Sequence, residues 1–391
     1  VYKRQDLTCT PMGARLLRNR LLFPLQDLDR IRQRLDAVEC LVAEADQRDD
    51  LRKALQGIYD LERLCSRLVL GHGNARDMSA MKVSLGQLPE LKAILAPLDC
   101  SLVRRIIEQL DELADLHQLI DRAIRDDAPV TLRDGNLIRE GYHGELDELI
   151  HLLRDGKQLI LGLEEKERAR TGIAKLKVGY NRVFGYYFEI SRAQAKEVPE
   201  DFIRKQTLVN AERFITPELK ELEERITTAQ DKRLELEYRL FSEIRDHIAG
   251  QSDRILHTAA QIARIDFLAS LAEAAYRYHY VKPQVSDNDE ITITAGRHPV
   301  IERSMDPGKF VPNDVQLDQQ HNELLIITGP NMAGKSTVLR QTALIVLMAH
   351  IGSFVPADQA GICIVDRIFT RVGAMDDLRR GQSTFMVEMN E

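Results

Sequence analysis

The chain has 391 residues, enough for two or three domains that each bury a core without disulfide or metal staples. It is 44% hydrophobic and 29% charged with a net charge of −7, which excludes a disordered chain and a globally basic surface, so any DNA contact must come from a local patch. No apolar run is long enough to span a membrane, no signal peptide is visible, and Cys9, Cys40, Cys65, Cys100 and Cys363 lack C-x-x-C spacing, as reduced intracellular thiols do.

Residues 1–143 read as a helical block. Leu16, Leu17, Leu21 and Leu22 begin it, Pro24 interrupts, and Ile31, Leu35, Val38, Leu41 and Val42 lie on one face of a long amphipathic stretch. Ile58, Leu61, Leu64 and Leu68 repeat the rhythm up to the break at Gly71-His72-Gly73-Asn74, and Leu102, Ile106, Leu110 and Leu113 form another stripe. These stripes are plain core packing and carry no chemistry. Asp126 to Ile138, with Pro129 and Asp134-Gly135, reads as a loop.

Residues 144–170 predict a charged helix with Leu146, Leu149, Ile150, Leu153, Leu159, Ile160 and Leu163 inward. A second long helix starts at Pro217, with Leu219, Leu222, Ile226, Ala229, Leu236 and Leu240 close to a heptad seam that Arg233 interrupts. Two long helices flanking one insert suggest an antiparallel pair bearing a small module at its far end. The insert, residues 171–214, changes to strand-like alternation and predicts a β-hairpin turning at Asn181-Arg182. From Lys166 to Arg213 there are eleven Lys and Arg against six Asp and Glu, a local +5 that leaves −12 for the rest. Lys175, Lys177, Arg182, Arg192, Lys196, Arg204 and Lys205 are the candidate phosphate contacts, the alternative being a solvated basic surface.

Residues 215–282 return from the insert to the helical block, and a composition shift near Pro283 opens a last region, 283–391. Within it, Gly329-Pro330-Asn331-Met332-Ala333-Gly334-Lys335-Ser336-Thr337 fits the G-x-x-x-x-G-K-[ST] phosphate loop. The apolar run Glu323 to Thr328 predicts a buried strand before it, and Val338 to His350 predicts a helix after it. Small residues let backbone N–H groups turn onto phosphate oxygens at a helix N-terminus. Lys335 would neutralise the β- and γ-phosphates and Ser336 would ligate Mg²⁺; the alternative is a glycine-rich turn that binds nothing. Ile362 to Val365 and Ile368 to Val372 predict two more buried strands.

These segments together resemble the MutS family of DNA mismatch repair proteins. GPNMAGKSTVLR (329–340), IFTRVGAMDDLRRGQSTFMVEM (368–389), KVGYNRVFGYYFEISR (177–192), TCTPMGARL (8–16) and QTLVNAERFITPEL (206–219) carry the likeness, which covers essentially the whole chain. The resemblance implies a multidomain fold: a mainly α-helical core, a long antiparallel helical lever with a small β-rich clamp inserted at its tip, then an incomplete α/β P-loop ATPase domain like that of ABC proteins. It implies a DNA-dependent ATPase that binds mispaired or looped duplex DNA with ATP and Mg²⁺ and switches to a sliding clamp. It also implies a homodimer with composite ATP sites, downstream mismatch-repair partners, and a bacterial cytoplasmic, nucleoid-associated location.

By the same resemblance Phe310 stacks on adenine, and Ser383 and Thr384 reach the partner subunit's ATP. The start at Val1 and the ending at Glu391 read as an internal piece that stops before the acidic strand completing the ATPase, so weak nucleotide binding and little turnover are expected of it. No catalytic residue is assigned within the chain. Two other readings stay open: a structural DNA clamp with a vestigial ATP site, and a chromosome ATPase of the SMC kind, against which the glycine loop following the long helices argues.

Overall fold

The computed structural model describes residues 6–181, 185–195, 198–306, 308–330 and 333–370. Its helices are α1 (Pro11–Leu22), α2 (Leu28–Ala43), α3 (Ala45–Gln56), α4 (Leu61–Val69), α5 (Ala75–Gly86), α6 (Leu88–Leu95), α7 (Ser101–Gln109), α8 (Ala114–Ala123), α9 (Gly144–Thr171), α10 (Pro217–Gly250), α11 (Ser252–Tyr278) and α12 (Lys335–His350). The strands are β1 (Lys177–Asn181), β2 (Gly185–Ser191), β3 (Ile203–Thr207), β4 (Ala211–Ile215), β5 (Gln284–Ser286), β6 (Ile291–Gly296), β7 (Asn313–Leu317) and β8 (Gln359–Cys363). The chain divides into two compact units, one holding the residues up to Cys65, Val83–Ala114 and those from Ser252 on, the other Ser66–Lys82 and Asp115–Gln251.

The first unit is built around α11. From Gln261 to Ala275 every residue of this helix except Arg264 is buried, so its polar side chains must find partners inside the protein. Asp266 is fully buried and accepts from the backbone N–H of Cys9 (2.8 Å) and of Thr10 (2.8 Å) and from the Thr10 hydroxyl (2.6 Å). Thr10 is in turn the N-cap of α1, its Oγ1 accepting from Gly13 N–H at 3.0 Å, with Pro11 opening the helix. Gly13 has no substitute here, because a Cβ on it would lie 2.1 Å from Asp266 Oδ2. Burial pushes the Asp266 carboxyl above its usual range, against the pull of those bonds.

Further toward the C-terminus of α11, Glu273 pairs with Arg48 Nε at 3.0 Å, both side chains being buried. Arg48 Nη1 donates to the carbonyls of Leu41 (2.9 Å) and Val42 (3.1 Å), which belong to the unpaired C-terminal turn of α2. Its guanidinium also stacks over the Tyr276 ring at 4.4 Å.

The same unit carries a four-stranded mixed sheet in the order β5-β8-β6-β7, parallel only between β5 and β8. It is tied to α2 by polar contacts. Arg32 donates to Val285 O (Nη2, 2.9 Å), Lys282 bridges Asp36 (2.8 Å) and Glu39 (2.7 Å), and Arg34 Nη1 donates to Ile351 O at 3.0 Å. His350, buried at the end of α12, makes a 2.7 Å hydrogen bond between Nδ1 and Leu25 O and accepts from Val365 N–H at Nε2 (3.3 Å).

The buried strand expected over Glu323 to Thr328 is not formed. Leu324 and Ile326 are 79% and 80% exposed, and none of the four strands of this sheet pairs with the segment. A strand needs a neighbour for its backbone groups, and among the described residues this one has none. Ile368 to Thr370 likewise lies outside any strand, with Phe369 84% exposed, while Arg371 and Val372 lie outside the described residues.

In the second unit α9 and α10 run antiparallel: Lys166 meets Glu218 (2.9 Å), and a Cβ on Gly156 would lie 2.8 Å from Ile226 Cγ1. At 1.5 Å per residue they are roughly 40 and 50 Å long. Arg233, the break in the α10 seam, is no defect. It pairs with Glu237 (2.9 Å) and Asn136 (2.7 Å), and the buried Glu237 also accepts from Leu137 N–H (2.9 Å). Between the two helices in sequence lies an antiparallel sheet, β1-β2-β4-β3, over a core of Leu163, Ile173, Leu176, Phe188, Ile190, Phe202, Phe214 and Leu219. Its first strand is shorter than the alternation predicts, because Gly172 ends α9 in the left-handed conformation and Ile173 to Leu176 forms a turn.

Removing Arg48 leaves Glu273 buried without that partner and strips the α2 carbonyls. Arg48→Met is expected to lower unfolding free energy by about 3 kcal/mol in urea denaturation, and Arg48→Met/Glu273→Gln by less. A single-variant loss below about 1 kcal/mol would remove this pair as the closure of α2.

Candidate functional site

The glycine loop ends at Gly334, whose φ of +92° is the left-handed conformation that favours glycine. Gly334 is the N-cap of α12 and offers no side chain, so the first N–H groups of the helix have no side-chain cap. Lys335 is the first residue of α12, and its ammonium curls back to donate to Gly329 O (2.5 Å) and Pro330 O (3.0 Å). Ala333 N–H donates to Pro330 O (3.3 Å), and Thr337 N–H to Gly334 O (2.9 Å). Ser336 is exposed on the first turn, and Thr337 is half-buried. Asn331 and Met332 lie outside the described residues, as do Ser383 and Thr384.

This fits a triphosphate with Mg²⁺. Donors without a side-chain cap, a lysine whose only described partners are the carbonyls of its own loop, and a hydroxyl on the first turn converge at the positive end of a helix. Phe310 is half-buried three residues before β7, whose Asn313 donates from Nδ2 toward Gln341 of α12 at 3.5 Å. Gln341, fully buried on α12, lies outside the motif. A Cβ on Gly296 would lie 2.6 Å from its Nε2, so β6 fits closely against the helix behind the loop.

The basic candidates of the inserted sheet divide by their partners. Arg204 is committed, its Nε 2.8 Å from Glu212 and its guanidinium 5.8 Å from the Phe214 ring centroid. Lys175, Lys177, Arg192 and Lys205 are exposed and make no ion pair among the described residues. Arg182 and Lys196 lie outside them. Strand register places Lys177, Glu189, Arg213 and Gln206 in one row across the sheet, opposite the Val178, Phe188, Phe214 row that faces the core. Arg213, absent from the candidates, stacks on Tyr187 at 4.3 Å and pairs with Glu189 at 3.2 Å.

Two carboxylates that sequence reading passed over join this sheet to the helices that flank it. Glu164 of α9 accepts from Val178 N–H at 2.8 Å, and Glu223 of α10 accepts from Tyr186 N–H at 3.2 Å. Gly185, at φ +75°, lets Glu223 approach, since a Cβ there would lie 1.5 Å from its Oε1. On helices so rich in glutamate nothing in the sequence distinguishes these two.

His298 is structural. It is buried, and its Nδ1 accepts from the N–H of Val300 (3.2 Å) and Ile301 (3.3 Å), closing the turn after β6.

Comparison with known proteins matches residues 2–272 to the model of MutS domain III and residues 325–391 to that of MutS domain V. A protein from Acetivibrio thermocellus described as DNA mismatch repair protein MutS is 52% identical over 386 residues, covering 99% of this chain and 44% of the relative. Proteins of the same description from Myxococcus xanthus and Methanosarcina barkeri are 52% and 49% identical, over 99% and 100% of this chain and 43% and 44% of their own lengths. The chain thus spans less than half the length of the curated relatives it matches. No helix among the described residues is long and apolar enough to cross a membrane.

Burial, and then the charge of Arg340, push the His298 imidazole below its ordinary 6.5. Folded, it binds fewer protons than unfolded, so its contribution is complete above pH 6.5 and is lost as pH falls below that value. Urea unfolding at about pH 7.5 and about pH 5.5 is expected to show lower stability at the lower pH, with the difference smaller in His298→Gln. An unchanged difference in the variant would assign the pH response elsewhere.

Proposed function

The chain belongs to the MutS family, and from that premise we propose that it is the part of a DNA mismatch repair ATPase that joins nucleotide capture to the grip on duplex DNA. The observation that carries the reading is the glycine loop: left-handed Gly334 delivers Lys335 into the first turn of a helix whose N–H groups have no side-chain cap. Lys335 would leave the carbonyls of Gly329 and Pro330 for the β- and γ-phosphate oxygens. Backbone N–H groups of Gly329, Gly334, Lys335 and Ser336, with Pro330, Asn331, Met332, Ala333 and Thr337 shaping the loop, would hold the phosphate chain, and Ser336 Oγ would hold Mg²⁺. When bound, Mg²⁺ supplies charge neutralisation for phosphoryl transfer, which otherwise rests on positioning. Phe310 is the proposed adenine contact, and Ser383 and Thr384 the contact to a partner subunit's nucleotide in a homodimer.

The β1-β2-β4-β3 sheet is the proposed clamp. Its exposed Lys175, Lys177, Arg192 and Lys205, together with Arg182 and Lys196, would contact phosphates without reading bases. Arg204 is the weakest of the candidates, since it already holds Glu212. The α9–α10 pair is the proposed lever. Glu164 and Glu223 join the sheet's backbone to it, and α10 continues in sequence into α11, the centre of the unit that carries the glycine loop. The substrate of the whole protein would be mispaired or looped duplex DNA, with nucleotide binding converting a mismatch grip into a sliding state.

Two outcomes test this. Titration with a fluorescent ATP analogue and Mg²⁺ should give binding that Lys335→Ala weakens at least about tenfold, the worth of a charge-assisted hydrogen bond; equal binding would favour a vestigial site. For the clamp, Lys175→Glu/Lys177→Glu/Lys205→Glu should weaken duplex binding and reduce the slope of log K against log salt by about 0.9 for every phosphate no longer neutralised. An unchanged slope would take these lysines out of the DNA interface.

A further inference from the structure

The helical core holds a second concentration of positive charge, away from both proposed sites in sequence. A cavity of about 450 Å³ is lined by Arg20 of α1, Arg30 and Arg34 of α2, Arg105 of α7 and Arg264 and Phe267 of α11, with no aspartate or glutamate in its wall. Arg34 is buried, Arg20 is half-buried, and Arg30, Arg105 and Arg264 are exposed. Arg264 is the one exposed residue in the otherwise buried run of α11. None of the five makes an ion pair among the described residues. Arg34 gives one N–H to Ile351 O (3.0 Å) and lies 5.7 Å from the Phe267 ring centroid, and Arg264 donates to Gln261 Oε1 (3.2 Å). Burial and then the neighbouring charges of Arg20, Arg30 and Arg264 push the Arg34 guanidinium down to about 9, and burial with Arg30 and Arg264 lowers Arg20.

Arg34 and, in part, Arg20 are taken out of water beside three more like charges and no acid, which costs the folded state unless an anion joins them. Buried charges in proteins are normally paired, and this chain pairs buried Arg48 with Glu273 and buried Glu237 with Arg233. The planar guanidinium fork suits phosphate oxygens. A volume of this size admits a short chain of phosphates but not a duplex.

We propose that this arginine-lined cavity is a binding site for a compact polyphosphate anion, separate from the glycine loop. The anion is a free phosphate chain or the phosphate tail of a nucleotide. Arg34 and Arg20 hold it from inside and Arg30, Arg105 and Arg264 from the rim.

The test uses the 391-residue chain carrying Lys335→Ala, which weakens the glycine loop, and inorganic tripolyphosphate as probe. Isothermal titration should show one site, and the thermal midpoint should rise with probe concentration, as for any ligand that binds only the folded state. Arg20→Gln/Arg264→Gln should weaken binding at least tenfold. Arg105→Gln, an exposed change that leaves the fold intact, should weaken it severalfold even if the double variant fails to fold. ATP matching tripolyphosphate would identify a free phosphate chain as the ligand, and ATP binding tenfold tighter would identify a nucleotide; both support the site. Loss of all binding with Lys335→Ala alone, or unchanged affinity in Arg105→Gln and the double variant, would overturn it. Stabilisation by Arg20→Gln/Arg264→Gln with no tripolyphosphate binding before or after would also overturn it, leaving the cavity to an acidic protein segment.

Discussion

Burial of polar groups around α11 is the constraint on which the first unit depends. A helix buried on nearly every side can carry Thr258, Gln261, Asp266, Ser270 and Glu273 only if each is met by a partner. Asp111 O accepts from Thr258 Oγ1, Arg264 donates to Gln261, the start of α1 donates to Asp266, Leu7 N–H donates to Ser270, and Arg48 and Arg277 donate to Glu273. Each bond also fixes the position of another segment. Asp266 sets where α1 begins, and Arg48 closes the end of α2. From α2, Arg32, Arg34, Asp36 and Glu39 reach the mixed sheet and the end of α12. The glycine loop thus opens a helix whose far end is fastened by buried polar contacts to the helical core.

The second unit uses the same device at a different scale. Its long helices meet where Gly156 faces Ile226 and Lys166 pairs with Glu218, and the sheet is joined to them by a shared core with Leu163 and Leu219 and by backbone N–H donated to carboxylate, Val178 to Glu164 and Tyr186 to Glu223. A hydrogen bond to an ionised carboxylate is stronger than a neutral one, so these two contacts hold the strands against the helix ends. Lys175, Lys177 and Lys205 make no ion pair among the described residues, while Arg204 and Arg213 are tied to acids and aromatic rings. That division leaves the three exposed ammonium groups without an acid beside them among the described residues, as the proposed phosphate contact requires.

Much of this was legible in the sequence because it depends on spacing within one element. The stripes of α2 and α7, the start of α10 at Pro217, and the turn from Gly334 into α12 all follow from local pattern. What was not legible depends on neighbours. The run Leu324 to Thr328 has the composition of a buried strand, yet a strand exists only with a partner for its N–H and C=O groups. Arg233 looked like a flaw in a seam until Glu237 and Asn136 were brought beside it. The five arginines of the core cavity come from four helices, each ordinary alone, and Glu164 and Glu223 are hidden among many glutamates. Long-range pairing of charge has no periodicity to read.

On the proposed function, nucleotide at the glycine loop and DNA at the sheet influence each other's binding. Linkage makes this reciprocal, with coupling typically about fivefold to about 150-fold. The direct measurement is the affinity of the chain for an ATP analogue with Mg²⁺, determined without DNA and again with saturating mismatched duplex. The account predicts at least a fivefold difference that disappears when Lys175, Lys177 and Lys205 are reversed in charge. Identical affinities with and without duplex, in a protein that demonstrably binds both, would contradict it.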